Sequence, residues 1–220
     1  MQFSADRKAR IMIVDDHPLV REGMAMLINR EPDMQACCAA EQIEQALKAN
    51  RSCPHDLAIV DMTLEGFSGL EMMRSFQFEF PDLPILMLSM HAESIYAEPA
   101  LKAGARGYLM KQTATGELLQ AIRQVLRGEL YVSDQMRTRM LKKSMGDAGN
   151  DSSINSLSPS ELEVLHLIGL GLGTSEIAER IGRSVKTIES HKANIKRKLN
   201  LDNSSQLSMY AINFVSLGKL

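Results

Sequence analysis

Residues 11–24 read IMIVDDHPLVREGM: a short apolar run, two adjacent acids, and a proline two places after the second acid. Asp15 and Asp16 repel one another where a buried strand would end, so a compensating positive charge has to come from elsewhere in the chain. Pro18 suits the first turn of a helix, where its missing N–H is no loss. The stretch therefore reads as strand, acidic loop and helix, the opening of a βα unit.

The same rhythm continues downstream. IMIV (11–14), MQACCA (34–39), LAIV (57–60), ILML (85–88) and GYLM (107–110) read as strands, nearly unbroken in apolarity as strands covered on both faces should be. Helices are expected to begin near Pro18, Glu41, Ser68, Ser94 and Thr115, with the fifth ending before Gly128. Five such units predict a doubly wound α/β domain around a five-stranded parallel sheet. VSDQMRTRMLKK adds a further helix, and SMGDAGNDSSINS (144–156) loses apolar periodicity and reads as a linker. The expected division is 1–130 for the α/β domain, 131–156 for the extra helix and linker, and 157–220 for a second domain.

Composition narrows the function classes. With 45% apolar residues, 24% charged and a formal net charge of -2, no global basic excess points to nucleic acid, so any such site has to be local. Cys37, Cys38 and Cys53 make no CxxC, which favours a reducing, cytoplasmic setting over a disulfide framework. There is no signal-peptide pattern and no apolar stretch near the ~18 residues that cross a bilayer, so a soluble protein without a membrane partner is expected.

In a doubly wound sheet the loops at the carboxyl ends of the strands form the binding crevice. Asp15 and Asp16 follow the first strand, Asp61 the third, Ser89 the fourth and Lys111 the fifth. Acids in such places can be mere helix caps, and a lone Lys111 can be solvated surface; together they gather at one rim. Three carboxylates there need a cation, and oxygen ligands favour Mg²⁺. Lys111 could neutralise the remaining charge or grip an incoming phosphoryl group. An aspartate beside such a metal can attack phosphorus and hold an acyl phosphate. A Mg²⁺-dependent phosphohydrolase on a similar sheet would carry D-x-D after its first strand, where DDHP stands.

VDDHPLVREGM, DLAIVDMTLEGFSGLEMM, ILMLSMH and ALKAGARGYLMK together resemble the receiver domain of two-component response regulators, over about the first 130 residues. The resemblance implies strand order 2-1-3-4-5, with Asp61 accepting a phosphoryl group from a sensor histidine kinase. It implies Mg²⁺ among Asp15, Asp16, Asp61 and the backbone carbonyl of Thr63, with Lys111 on the phosphoryl oxygens. Ser89 and Tyr108 match the family's switch pair; without the match, Tyr108 reads as a half-buried strand aromatic. Such a chain is no enzyme beyond its own phosphoryl transfer and autodephosphorylation. Thr63 and His91 stand two residues beyond Asp61 and Ser89, where their side chains can overhang the phosphate and tune its hydrolysis. Glu65 replaces a proline common in relatives, and Pro99, some six residues into the fourth helix, predicts that this helix is short, kinked or late to start.

The second domain opens with LSPSELEVLHLIGLG, where Ser158, Pro159 and Glu161 spell a capping box with proline at the first helical position. Leu162, Leu165 and Ile168 give one apolar face, and GLGTSEIAERIG supplies a glycine break, a Thr174 cap and a second helix ending at Gly182. A third helix follows at once, so the unit reads as a helix-turn-helix in a four-helix domain. At ~100° per residue, Val185, Ile188, Ile195 and Leu199 should pack inward while Lys186, Glu189, Ser190, Ala193, Asn194 and Arg197 face out. From Arg183 to Lys198 six basic residues stand against one acid, a local +5 of the kind that meets phosphates.

LSPSELEVL, GLGTSEIAERIGRSVKTIESHKANIKRKL and QLSMYAI are similar to the LuxR-type DNA-binding domain of NarL/FixJ-class regulators, from about Leu157 to Ile212. That resemblance places Glu189, Ser190 and Ala193 at base-reading positions and Ser184, Thr187, Lys192 and Lys198 near phosphates of double-stranded DNA. Leu207, Tyr210, Ala211 and Phe214 share a face of the fourth helix, either the dimer surface of relatives or simple core packing. The expectation is a phosphorylation-controlled transcription regulator, homodimeric when phosphorylated.

Overall fold

A computed structural model describes residues 7–64, 67–90, 93–112, 115–144 and 154–217. Two compact units divide between Ser133 and Asp134. The first is built on strands β1 (Ala9–Val14), β2 (Met34–Ala40), β3 (Leu57–Asp61), β4 (Ile85–Ser89) and β5 (Gly107–Met110), all parallel and ordered β2-β1-β3-β4-β5. β1, β3 and β4 are buried almost throughout, which their continuous apolar sequence demands. β2 departs from that pattern: Gln35, Cys37 and Ala39 are exposed, because an edge strand has cover on one face only.

Helices α1 (Pro18–Asn29), α2 (Ile43–Ser52), α3 (Gly69–Glu79), α4 (Glu93–Lys102) and α5 (Thr115–Leu126) alternate with the strands. Met24, Ile28, Leu118, Ala121, Ile122 and Val125 close over one face of the sheet in a single apolar core. α4 starts at Glu93, not late, and runs through Pro99 to Lys102, 10 residues in all; Pro99 offers no N–H to the Ile95 carbonyl, but its own carbonyl accepts from Ala103 (3.0 Å). Beyond α5, Tyr131 bridges to Gly107, and the Tyr131 carbonyl accepts from the Tyr108 N–H (2.9 Å), which covers the open edge of β5. Gly107 leaves room for that strand edge, since a Cβ would lie 2.8 Å from Leu86 Cδ1 and 3.1 Å from the Tyr131 Cβ.

The second unit contains α6 (Asp134–Ser144), a 3₁₀ turn (Ile154–Ser156), α7 (Pro159–Gly169), α8 (Thr174–Ile181), α9 (Val185–Leu199) and α10 (Ser204–Leu217). Most of the expected linker, 145–153, lies outside the described residues, as do Glu65 and His91. The capping box forms as the sequence requires: the Ser158 hydroxyl accepts from Glu161 N–H, and the Ser158 N–H donates to Glu161 Oε2 (2.6 Å). The cap of α8 is Gly173, not Thr174, and its N–H donates to Glu176 Oε2 (2.7 Å). Thr174 stands one place inside, and its hydroxyl points to α9 instead.

Ile188, Ile195 and Leu199 pack inward as expected, but Val185 is 47% exposed, because the first turn of α9 overhangs the core. On α10, Leu207, Ala211 and Phe214 are buried, which makes that face core packing; among the described residues Met209 and Ile212 are the large apolar side chains left exposed. α7 and α10 approach so closely that a Cβ on Gly169 would lie 2.3 Å from the Ala211 carbonyl oxygen. Gly169→Ala is therefore expected to destabilise the second unit by about 1–3 kcal/mol through overpacking, read as a lower urea midpoint at an unchanged slope.

Candidate functional site

Strand register assembles the crevice. Val14 pairs with Val60, so Asp15 and Asp61 leave adjacent strands side by side, at the point where strand order reverses. Ser89 pairs with Met110, and the Lys111 N–H donates to the Ser89 carbonyl (2.7 Å), which turns the lysine back over the same rim. Asp15, Asp61 and Ser89 are buried.

The positive charge demanded by the first acidic pair is Lys111. Its Nζ lies 2.7 Å from Asp15 Oδ2 and 2.8 Å from Asp61 Oδ2. Burial works against the Lys111 ammonium, but its bonds to the two aspartates outweigh burial and raise its pKa. Burial pushes the Asp61 carboxyl up, and Lys111 holds back part of that rise. The acids are not helix caps: α1 is preceded by His17 with no side-chain cap, and Asp15 Oδ1 accepts from the His17 N–H (2.8 Å).

The carboxylates of Asp15, Asp16 and Asp61 and a ring nitrogen of His17 bring ligand atoms within 4.8 Å of one another. Asp15 Oδ2 and Asp16 Oδ1 are buried, the first paired with Lys111 (2.7 Å) and the second beside His17 Nδ1 (2.6 Å). Clustered carboxylate oxygens with lone pairs to spare suit a hard divalent cation. Thr63 N–H and hydroxyl both donate to Asp61 Oδ1 (3.1 and 3.2 Å), so this side chain lies over the carboxylate, as its position two residues on suggests.

Tyr108 is fully buried, not half-buried, with its hydroxyl hydrogen bonded to Ser89 and 3.9 Å from Met62 Sδ. Burial pushes its phenol far up. Two members of the site escaped the sequence. His17 is readable only from its adjacency to Asp16. Arg21 donates to the Asp15 carbonyl (2.5 Å) and pairs with Glu41 (2.6 Å), a reach that no local pattern announces.

Residues 11–123 match the response regulator receiver domain family, and residues 155–211 match the bacterial regulatory proteins of the luxR family. The chain belongs to the response regulators. Joining a receiver to a LuxR-family DNA-binding domain makes this response regulator a phosphorylation-controlled transcription regulator of the NarL/FixJ class. It is 37% identical over 210 residues to the oxygen regulatory protein NreC of Staphylococcus carnosus, spanning 92% of this chain and 96% of that one. RcsB from Salmonella enterica serovar Typhimurium, solved bound to promoter rprA with the phosphomimetic BeF3-, is 26% identical with a TM-score of 0.68, over 96% of this chain and 99% of that one. A LuxR-family two-component response regulator from Aurantimonas sp. SI85-9A1 is 35% identical with a TM-score of 0.58, over 63% of this chain and 99% of its own.

In the DNA-binding domain of this response regulator, Lys186, Glu189, Ser190, Ala193 and Arg197 are exposed along α9, and Asn194 is half-exposed beside Arg197 (3.2 Å). Ser184 caps the helix through Thr187 N–H (3.1 Å). Lys192 Nζ reaches Thr174 Oγ1 (2.8 Å) and Glu189 Oε1 (3.1 Å), and the Thr174 hydroxyl also donates to Glu189 (2.9 Å). Lys192 and Thr174 together hold Glu189 below the usual carboxylate range. Lys198 Nζ bonds Glu161 Oε2 (2.6 Å); burial would raise the Glu161 pKa, but Lys198 and Ser158 lower it below the ordinary value. α9 is thereby pinned to the start of α7. Among the described residues no helix is long and apolar enough to cross a membrane.

Proposed function

We propose that Asp61 is the phosphoacceptor of this regulator, taking the phosphoryl group of a sensor histidine kinase in the cytoplasm. The single observation that carries the reading is Lys111 clamped between Asp15 and Asp61 at the strand-order reversal. An Asp61 carboxylate oxygen attacks phosphorus as the kinase P–N bond breaks. Lys111 then shifts onto the phosphoryl oxygens, and Thr63 donates to the carboxylate while the bond forms. Asp15, Asp16, Asp61 and the Thr63 backbone carbonyl would hold Mg²⁺, which when bound neutralises charge on the transferring group. Ser89 leaves Tyr108 to meet the phosphate, and the receiver face around β4 and α4 responds. The receiver spans 1–130, the linker with its extra helix 131–156, and the DNA-binding domain 157–220.

The output is a homodimer on double-stranded DNA, with two α9 helices in successive major grooves and Met209 and Ile212 of α10 available to the dimer contact. Glu189, Ser190 and Ala193 read bases, while Ser184, Lys186, Thr187, Asn194 and Arg197 approach the backbone. Lys192 and Lys198 reach phosphates only by letting go of Glu189 and Glu161. That exchange frees Glu189 to accept from a cytosine amine.

Incubation with acetyl phosphate and Mg²⁺ is expected to add one phosphoryl mass to the wild-type chain and none to Asp61→Asn. Labelling that survives Asp61→Asn, or that needs no divalent ion, overturns the reading. In the phosphorylated protein, Thr63→Ala with His91→Ala is expected to change the acyl-phosphate lifetime after donor removal. An unchanged lifetime removes both side chains from the hydrolysis step.

A further inference from the structure

The start of α8 carries a hydroxyl that capping does not use. A threonine beside a helix start ordinarily caps it, yet here the Gly173 N–H is met by Glu176 Oε2 (2.7 Å), and the Gly173 carbonyl already accepts from the Ile177 N–H (2.9 Å). Thr174, half-buried at the first position of α8, turns its side chain to α9 instead.

Chemistry fixes the direction of its bonds. Lys192 can only donate, and Lys192 with Thr174 keeps Glu189 ionised, so that it can only accept. The Thr174 hydroxyl therefore accepts from Lys192 Nζ (2.8 Å) and gives its one proton to Glu189 Oε1 (2.9 Å). Lys192 Nζ meets the same oxygen from one turn along α9 (3.1 Å). Both bonds to Glu189 thus fall on Oε1. On an exposed helix face a glutamate without such bonds samples several rotamers.

We propose that Thr174 is a positioning residue for base recognition: its hydroxyl holds Glu189 Oε1 so that Oε2 meets a cytosine amine of the operator. This role rests on Glu189 being a base contact, as proposed above. Lys192 leaves for a phosphate when DNA binds, and a departing ammonium cannot keep the carboxylate aimed. The Thr174 hydroxyl, carried on the neighbouring helix, loses only an incoming donor and keeps its bond to Glu189. A carboxylate already held in place loses little further freedom on binding, so the preference for one base is set before contact.

The full-length chain, treated with acetyl phosphate and Mg²⁺, selects duplexes from a random-sequence pool as wild type, Thr174→Val, Thr174→Ser, Glu189→Ala and the Thr174→Val, Glu189→Ala double variant. Glu189→Ala is expected to flatten the preference at one base pair of each half-site. Thr174→Val keeps the side-chain shape and removes the hydroxyl. It is expected to flatten the same position by about two- to tenfold, the cost of ordering one such side chain, while affinity for a scrambled duplex does not fall. Thr174→Ser retains the wild-type preference, and Thr174→Val adds nothing in the Glu189→Ala background. Equal weakening on every sequence would overturn the proposal, since a lost phosphate contact or a loss of fold produces that. An unchanged preference in Thr174→Val beside a flattened one in Glu189→Ala overturns it too. No effect of Glu189→Ala at any position removes the base contact itself, and the role of Thr174 with it.

Discussion

Lys111→Ala is expected to destabilise the receiver at neutral pH by about 3–5 kcal/mol, the range for removing one partner of a buried ion pair. Asp15 and Asp61 are buried and face that ammonium directly, so its removal leaves two carboxylates without a counter-charge. The deficit depends on pH. Burial already raises the Asp61 carboxyl above 3.8, and Lys111 is what restrains the rise. Without it the folded-state value climbs further. A group with a raised folded-state pKa adds stability that is complete below its unfolded value and disappears as pH climbs through the folded one. The gap between wild type and Lys111→Ala is therefore narrow near pH 3.8 and widens as pH increases through the raised Asp61 value. Saturating Mg²⁺ is expected to return about 2.7 kcal/mol at a hundredfold excess over its dissociation constant, since a cation takes the vacated place. Urea titrations across pH, with Lys111→Met as a variant that keeps the stem, make the check. A pH-independent loss that Mg²⁺ does not repair and that Lys111→Met does not share would trace the effect to packing of the lysine stem instead.

This electrostatic logic was readable in the sequence because strand ends fix where polar groups go. Once IMIV and LAIV are strands in a doubly wound sheet, Asp15 and Asp61 have to emerge at the same edge, and the register of Val14 on Val60 makes them neighbours. Which face of an isolated helix looks inward is less legible. α10 carries apolar residues on two sides, and periodicity ranks Leu207, Ala211 and Phe214 against Met209 and Ile212 only weakly; the close approach of Gly169 to Ala211 decides between them. Caps were misplaced by one residue at α8 because a threonine hydroxyl is the commoner cap, whereas here Glu176 serves the Gly173 N–H and the Thr174 hydroxyl serves Glu189. Pro99 costs α4 one backbone donor without ending the helix, because one missing donor is a local loss that tertiary packing of α4 can offset. Arg21 and His17 act through reach and adjacency, which no hydrophobic period encodes.

Operator affinity of the phosphorylated dimer is expected to fall about a thousandfold when salt rises from about 50 to 200 mM, if six phosphates are neutralised. The number follows from α9. Lys186 and Arg197 are exposed and Lys196 half-exposed, giving three cations per protomer and six per dimer without calling on Lys192 or Lys198, which are engaged with Glu189 and Glu161. Arg197→Ala removes two of the six, so the slope of log affinity against log salt should become shallower by about 1.8, with weaker binding on every sequence. Glu189→Ala should behave in the opposite way. It takes away a base contact and no cation, so discrimination at one base pair relaxes by about 1–3 kcal/mol while the salt slope does not become shallower. It also releases Lys192 from its ion pair, and non-specific affinity rises. Fluorescence anisotropy on operator and scrambled duplexes over a salt series separates the two. Should Arg197→Ala alter base preference with no change in slope, or Glu189→Ala alter slope alone, α9 would have to sit in the groove turned to present a different face from the one drawn here.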